Sequence, residues 1–333
     1  MTALSALSAL SLAAAIACVL ALLLPLTAAA AATPELPIDL APALFDVDRA
    51  WQGPDGESLP FTDPEQVERF LREAEVVSSK LLGKGSTGVR KVTLEATWPE
   101  LGLIRAHAVF RSVDEVIGGR AYGTRPSPFA KRDSHLFEIA AYEVDRSLGL
   151  GRVPPTVRRK IGGRDGSLQL WIENAATGAE LLEEGASVPV AYHQRQIMRV
   201  FDLLVGNWDR HLNNELFDSS GRLWFIDHTR SFLRSTRIDG VGGVHTIEAT
   251  LYRRLVELDE GELENRVRPV LDKMESEALL ARLEKLRQHF AGLIAERGEG
   301  HVLYDLEQIR LASDGRSASG IRIEWPDGET SIL

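Results

Sequence analysis

The chain has 333 residues, 44% hydrophobic and 26% charged, a globular composition long enough for one two-lobed domain or two separate ones. Asp and Glu number 48 against 38 Lys and Arg, for a net charge of −10, and no basic stripe is visible, which argues against nucleic acid as a partner. Cys18 is the only cysteine, so a disulfide framework and a cysteine zinc site are both excluded.

Residues 1–32 are low in complexity, and residues 10–26 are nearly all apolar. Two readings stay open. A signal peptide would use the small residues 27–32 for cleavage. An uncleaved anchor would use the apolar run, which approaches the length needed to span a membrane. No Lys or Arg precedes Arg49, so loop charge gives no orientation. Either way the expectation is an exported protein, with membrane association possible through residues 10–26. Residues 33–62 carry Pro34, Pro37, Pro42, Pro54 and Pro60 and read as a linker or surface arm.

Asp63, Pro64 and Gln66 form a helix start, with Val67, Phe70, Leu71 and Ala74 on one face. Residues 76–97 contain Gly83-x-Gly85-x-x-Gly88, after which Val92, Leu94 and Ala96 alternate as in a strand. Strand, glycine loop and strand suit a cover over phosphates, since backbone N–H groups approach where no Cβ intervenes. A plain glycine-rich hairpin is the alternative. Residues 104–113 give another strand, ending in Ala108-Val109-Phe110-Arg111. Residues 134–150 follow helical spacing and stop at Gly149. On periodicity alone Glu138 is a surface charge of that helix, and Arg111 a solvated cation at a strand end. Residues 167–173 form a strand running into a polar break. Residues 190–204 are amphipathic, with Ile197, Val200, Phe201 and Leu204 in one stripe.

Residues 207–232 carry the chemistry: NWDRHLNNELFDSSGRLWFIDHTRSF. Two short apolar runs flank the turn residues 218–221, which predicts a hairpin. Its ends would bring Asp209, Asn214 and Asp227 together. Phosphoryl transfer needs such a set: one Asp orients the acceptor hydroxyl, while an Asn and a second Asp hold Mg²⁺ on the phosphates. An ordinary polar turn is the plain alternative. Residues 235–243 look like a loop, 246–296 are mostly helical, and 322–332 suggest a small terminal hairpin around Pro326-Asp327-Gly328.

Asn214 follows Asp209 by five residues and Asp227 follows it by eighteen, a spacing that resembles the catalytic loop and metal-binding Asp of protein kinases. The form D-R-H-x-x-N, then I-D-H, is more similar to the atypical branches: phosphatidylinositol 3- and 4-kinases, HipA-type kinases, and the secreted Golgi casein kinase/Four-jointed group. The stretch EIAAYEVDRSLGLGRVPPTV over residues 138–157 resembles the helix and strand of the casein kinase and phosphatidylinositol 4-kinase groups. The resemblance covers about residues 76–300. It implies an α+β, two-lobed protein-kinase-like fold, with a β-rich N-lobe over 63–173, a mainly α C-lobe over 174–305, a tail over 306–333, and the apolar segment in front. It also implies ATP with Mg²⁺ or Mn²⁺, and a protein substrate as partner.

By the same resemblance Asp209 is catalytic, Asn214 and Asp227 hold metal, and Asn213 is the fallback ligand. Gly83, Gly85 and Gly88 cover the nucleotide, Arg111 contacts phosphates, and Glu138 anchors Arg111. Arg210 and His211 brace the loop. Arg111 departs from the usual Lys of this strand, and the two are not interchangeable at a tight phosphate site. Lys91 on the neighbouring strand is a substitute to test. A kinase-shaped binding module without turnover and a lipid kinase stay open as alternatives.

Overall fold

The computed structural model describes residues 51–82, 88–117, 131–186, 191–306 and 308–309, and the backbone of 322–324 and 330–332. Gly83, Gly85, the apolar segment of residues 10–26 and the turn at residues 326–328 lie outside the described residues. Among those described, no helix is long and apolar enough to cross a membrane.

The first helix, α1 (Pro64–Glu73), starts where the capping pattern predicts, with Asp63 accepting the Gln66 N–H at 2.8 Å. The Gln66 side chain returns to the Thr62 N–H at 2.9 Å, one residue before the cap. Strands β1 (Glu75–Leu81), β2 (Arg90–Trp98) and β3 (Gly102–Arg111) follow. A short hairpin of β4 (Asp114–Ile117) and β5 (Lys131–Ser134) leads into α2 (His135–Leu148). Strands β6 (Thr156–Ile161) and β7 (Arg164–Leu170) complete an antiparallel five-stranded sheet in the order β1-β2-β3-β7-β6.

Alternation splits the sheet into two faces. On one, Val92, Leu94, Ile104, Ala106, Ala108 and Phe110 are buried in one cluster with Val67, Phe70 and Leu71 of α1. Each fully buried Val, Leu, Ile or Phe side chain here contributes roughly 1.5–3 kcal/mol. Trp98 closes the cluster edge-on to Phe61 and Phe70, with ring centroids 6.0 and 6.3 Å away. The odd-numbered residues of β3, Arg111 among them, take the opposite face.

The remaining chain is mainly helical. After β8 (Ala175–Thr177) and α3 (Gly178–Glu183) comes α4 (Ala191–Val205), whose predicted stripe of Ile197, Val200, Phe201 and Leu204 is buried. The predicted hairpin forms from β9 (Glu215–Asp218) and β10 (Leu223–Phe225), with Leu223 opposite Phe217. Beyond it lie β11 (Ile247–Glu248), α5 (Ala249–Glu257), α6 (Glu260–Val267) and α7 (Lys273–Arg297), then α8 (Glu299–Val302) and β12 (Leu303–Tyr304). The tail pairs β13 (Arg322–Glu324) with β14 (Thr330–Ile332).

Helix α2 belongs to the core of this helical part: Phe137, Ala140, Ala141, Val144 and Leu148 share a cluster with Phe201, Leu204, Leu283 and Phe290. Gly149 ends it in the left-handed region at φ 61°, where an L side chain is strained. With one side on the sheet and the other on the helices, α2 carries Glu138 between them.

Candidate active site

Strand β3 delivers Arg111 at its last residue, and α2 delivers Glu138 in its first turn. Neither is a surface charge. Arg111 is 7% exposed and Glu138 is fully buried, with Arg111 Nε 3.4 Å from Glu138 Oε1. Burial alone would push the Glu138 carboxyl up. The Arg111 guanidinium, then the nearby His228 ring and backbone N–H, outweigh burial and hold it at about 2. Burial works against the Arg111 charge too, but Glu138, then Asp227 and Asp133, raise its pKa above the ordinary value. Gly166 makes room beside this pair: a Cβ there would lie 2.3 Å from the Arg111 carbonyl oxygen and 2.5 Å from the Phe110 ring.

Helix α4 runs out at Val205, and the chain passes through residues 207–211 into a 3-10 turn (Leu212–Asn214). Arg210 ties this loop together. Its Nε and Nη2 donate to the two Asp202 carboxylate oxygens, both at 2.9 Å. Its Nη1 donates to the carbonyls of Asn214 and, at 2.8 Å, of Ile226. Its Nη2 also meets His228 Nε2 at 3.1 Å. A guanidinium has only donors, so His228 Nε2 accepts and the ring proton sits on Nδ1, 3.8 Å from Glu138 Oε2. The His228 backbone N–H donates to Glu138 Oε1 at 3.1 Å. One series of contacts therefore runs from Asp202 through Arg210 and His228 to Glu138 and Arg111.

Asp227 follows β10 with φ 59°, a left-handed conformation uncommon outside glycine. Thr229 Oγ1 donates to its Oδ1 at 3.3 Å. The Ser134 N–H, at the start of α2, donates to the Thr229 carbonyl at 2.8 Å, joining the segment after Asp227 to the helix that carries Glu138. Asp209 receives Arg230 Nη1 on Oδ2 at 3.0 Å, and its backbone N–H donates to Asn207 Oδ1 at 3.0 Å. Asn214 turns its Nδ2 onto the Asp209 carbonyl at 3.2 Å, and its carboxamide oxygen makes no hydrogen bond among the described residues.

These atoms suit a divalent cation and a phosphate. The Asn214 amide oxygen and the Asp227 carboxylate are hard oxygen donors. Among the described residues Arg111 Nη1 is buried without a partner, as are Glu138 Oε2 and His228 Nδ1, so the pair retains a donor for an anion. Gly88 is the one predicted loop glycine within the described residues, at φ 64°, and the Leu82 N–H donates to the Val89 carbonyl at 2.8 Å across the loop's base.

Lys91, the other candidate cation, has partners of its own. Its Nζ lies 4.0 Å from the Trp171 ring centroid and 3.9 Å from Glu173, in the stretch after β7. Glu173 also takes His107 Nδ1 at 2.6 Å. Asp202, Gly166, Asp133 and Arg230 were not singled out from sequence, and His228 stood there only as the last residue of the I-D-H motif.

No family model and no curated protein matches the chain. Among solved structures it resembles hydra Fam20 with sugar, at 17% identity over 79% of this chain and 97% of that one, with a TM-score of 0.55. The chain shares that protein-kinase-like fold, with a sheet-rich part and a helical part. The Golgi casein kinase with Mn/ADP bound aligns at 17% identity over 73% of this chain and 79% of its own, TM-score 0.47. The Helicobacter pylori proinflammatory kinase CtkA aligns at 12% identity over 74% and 98%, TM-score 0.40. The five-stranded sheet with α1 is the β-rich part of this fold, and α4, the Arg210-braced loop and its hairpin belong to the helical part.

Proposed function

We propose that this kinase-like chain is an ATP-dependent phosphotransferase acting on a protein hydroxyl outside the cytoplasm. The observation that carries the reading is the series Asp202–Arg210–His228–Glu138–Arg111, which joins the loop of Asp209 and Asn214, the segment of Asp227 and the strand cation. Asp209 would orient the acceptor hydroxyl and take its proton. Asn214 and Asp227 would hold Mg²⁺ or Mn²⁺, which supplies charge neutralisation on the phosphates. Arg111, kept charged by Glu138, would bind phosphate through its unpartnered Nη1, and Gly83, Gly85 and Gly88 would cover the nucleotide. The apolar run at residues 10–26 with its small-residue end supports export.

A second reading, a nucleotide-binding module without turnover, is favoured by Arg111 itself, a broad fork where the resemblance expects Lys. Thermal unfolding of the full-length chain with Mg·ATP and Mn·ATP, beside Asp227→Ala, tests the first step. Nucleotide at 100 times its Kd stabilises the fold by about 2.7 kcal/mol. We expect that gain in the wild type and its loss in Asp227→Ala. No shift with either metal at millimolar nucleotide refutes the reading. A shift without transfer of label from ATP to protein, sugar or lipid hydroxyls selects the binding module.

A further inference from the structure

Arg230 reaches Asp209 from the segment that follows Asp227. Its Nε donates to Asp133 Oδ2 at 2.8 Å and its Nη1 to Asp209 Oδ2 at 3.0 Å. Two carboxylates on different elements, β5 and the loop after α4, thereby fix the plane of the guanidinium. The third nitrogen, Nη2, makes no hydrogen bond among the described residues, and the side chain is 35% exposed. Arg230 also lies over the Trp208 ring, Cζ 5.6 Å from its centroid, which further restrains it.

A guanidinium touching the carboxylate that orients the acceptor hydroxyl lies beside the phosphorus that this hydroxyl attacks. Arg111 approaches from the sheet, paired with a fully buried carboxylate; Arg230 approaches from the acceptor side. We propose that Arg230 is a second phosphoryl-binding cation and a catalytic residue, with Nη2 donating to an equatorial oxygen of the group in transfer. The proposal rests on the phosphotransferase reading. In the step it serves, the acceptor oxygen bonds to the γ-phosphorus while the bond to the β,γ-bridging oxygen breaks. The bridging oxygen keeps the electron pair and leaves with the nucleoside diphosphate. The acceptor proton passes to Asp209 Oδ1, the oxygen that Arg230 does not engage. Charge on the transferred group is spread over its three equatorial oxygens, where a preorganised donor stabilises it most. A tether between β5 and the loop would instead support the fold of the whole site, so its loss would lower Mg·ADP affinity and the gain from fluoride in parallel.

The test is binding of Mg·ADP, with and without aluminium fluoride as a planar mimic of the phosphoryl group, to full-length wild type, Arg230→Met and Arg230→Lys. We expect unchanged Mg·ADP affinity in both variants. The extra affinity that the wild type shows for the fluoride complex should fall about 10²-fold in Arg230→Met and by less in Arg230→Lys, which keeps the charge without the fork. If Arg230→Met does not fold, the Lys variant carries the same comparison. An undiminished gain from fluoride in the variants overturns the proposal, and so does a parallel loss of Mg·ADP affinity, the mark of a tether. Wild type that binds no Mg·ADP overturns the phosphotransferase reading and this proposal with it.

Discussion

Glu138→Gln removes one charge from the interior while keeping the shape of the side chain. The Gln carbonyl can still accept the His228 N–H that Glu138 Oε1 takes at 3.1 Å, so the change isolates the loss of the carboxylate beside Arg111. Folding pulls the Glu138 pKa from 4.5 to about 2, against burial, through Arg111 and His228. At about 1.4 kcal/mol per pH step, that fall is worth about 3 kcal/mol at neutral pH. Breaking a buried ion pair by removing one partner costs about 3–5 kcal/mol. Asp227 and Asp133 still attract Arg111 in the variant, which favours the lower end. A depressed carboxyl pKa means stability present above the unfolded value and lost as pH falls through the folded one. The gap between wild type and variant should therefore be full above about pH 5, and roughly two fifths of it should remain at pH 3. Urea unfolding of both proteins across that range reads the gap. A loss below about 0.5 kcal/mol at pH 7, or one that does not shrink on acidification, refutes the buried-pair argument.

Arg210→Met strips Asp202 of its cation, leaving the Asn207 amide on Oδ1, and frees the Asn214 and Ile226 carbonyls and His228 Nε2. We expect about 3 kcal/mol of destabilisation in urea unfolding, with faster amide exchange in residues 207–214 and 226–229; an unchanged midpoint contradicts the bracing role. Asp145 is buried, and burial pushes its carboxyl up to about 7 although the Arg152 and Val153 N–H groups donate to Oδ1 at 2.9 and 3.1 Å. The folded state then holds a proton that the unfolded chain releases, so this contribution to stability falls as pH rises from about 4 to about 7. Asp145→Asn keeps an acceptor for both N–H groups and removes that loss. It should unfold later than wild type at pH 8, with the advantage gone near pH 4; an equal effect at both pH values counts against the raised carboxyl.

The order of elements and the hairpin were legible because they rest on local rules. Period-two alternation marks β2, a 3.6-residue stripe marks α4, and Asp63 and Gly149 mark helix ends through backbone groups a few residues away. Asp209, Asn214 and Asp227 could be chosen because they flank one hairpin that closes over only four turn residues. Lys91 shows where such reading stops. Two cations, Lys91 and Arg111, stood on adjacent strands, and only the sheet register with the placement of Glu173 and Trp171 sends Lys91 to the end of β7.

The sequence by itself determined what propensity, capping and short-range turns encode: a β-rich part followed by a helical one, and a hairpin whose ends carry two carboxylates and a carboxamide. The tertiary structure alone decided which charges leave water. Glu138 follows the surface pattern of its helix and becomes fully buried because α2 lies between sheet and helices. His228 and Arg230 acquire their partners from residues 90 and 97 positions away in the chain. Burial and ion pairing depend on elements distant in sequence meeting in space, and a local pattern holds no record of that meeting.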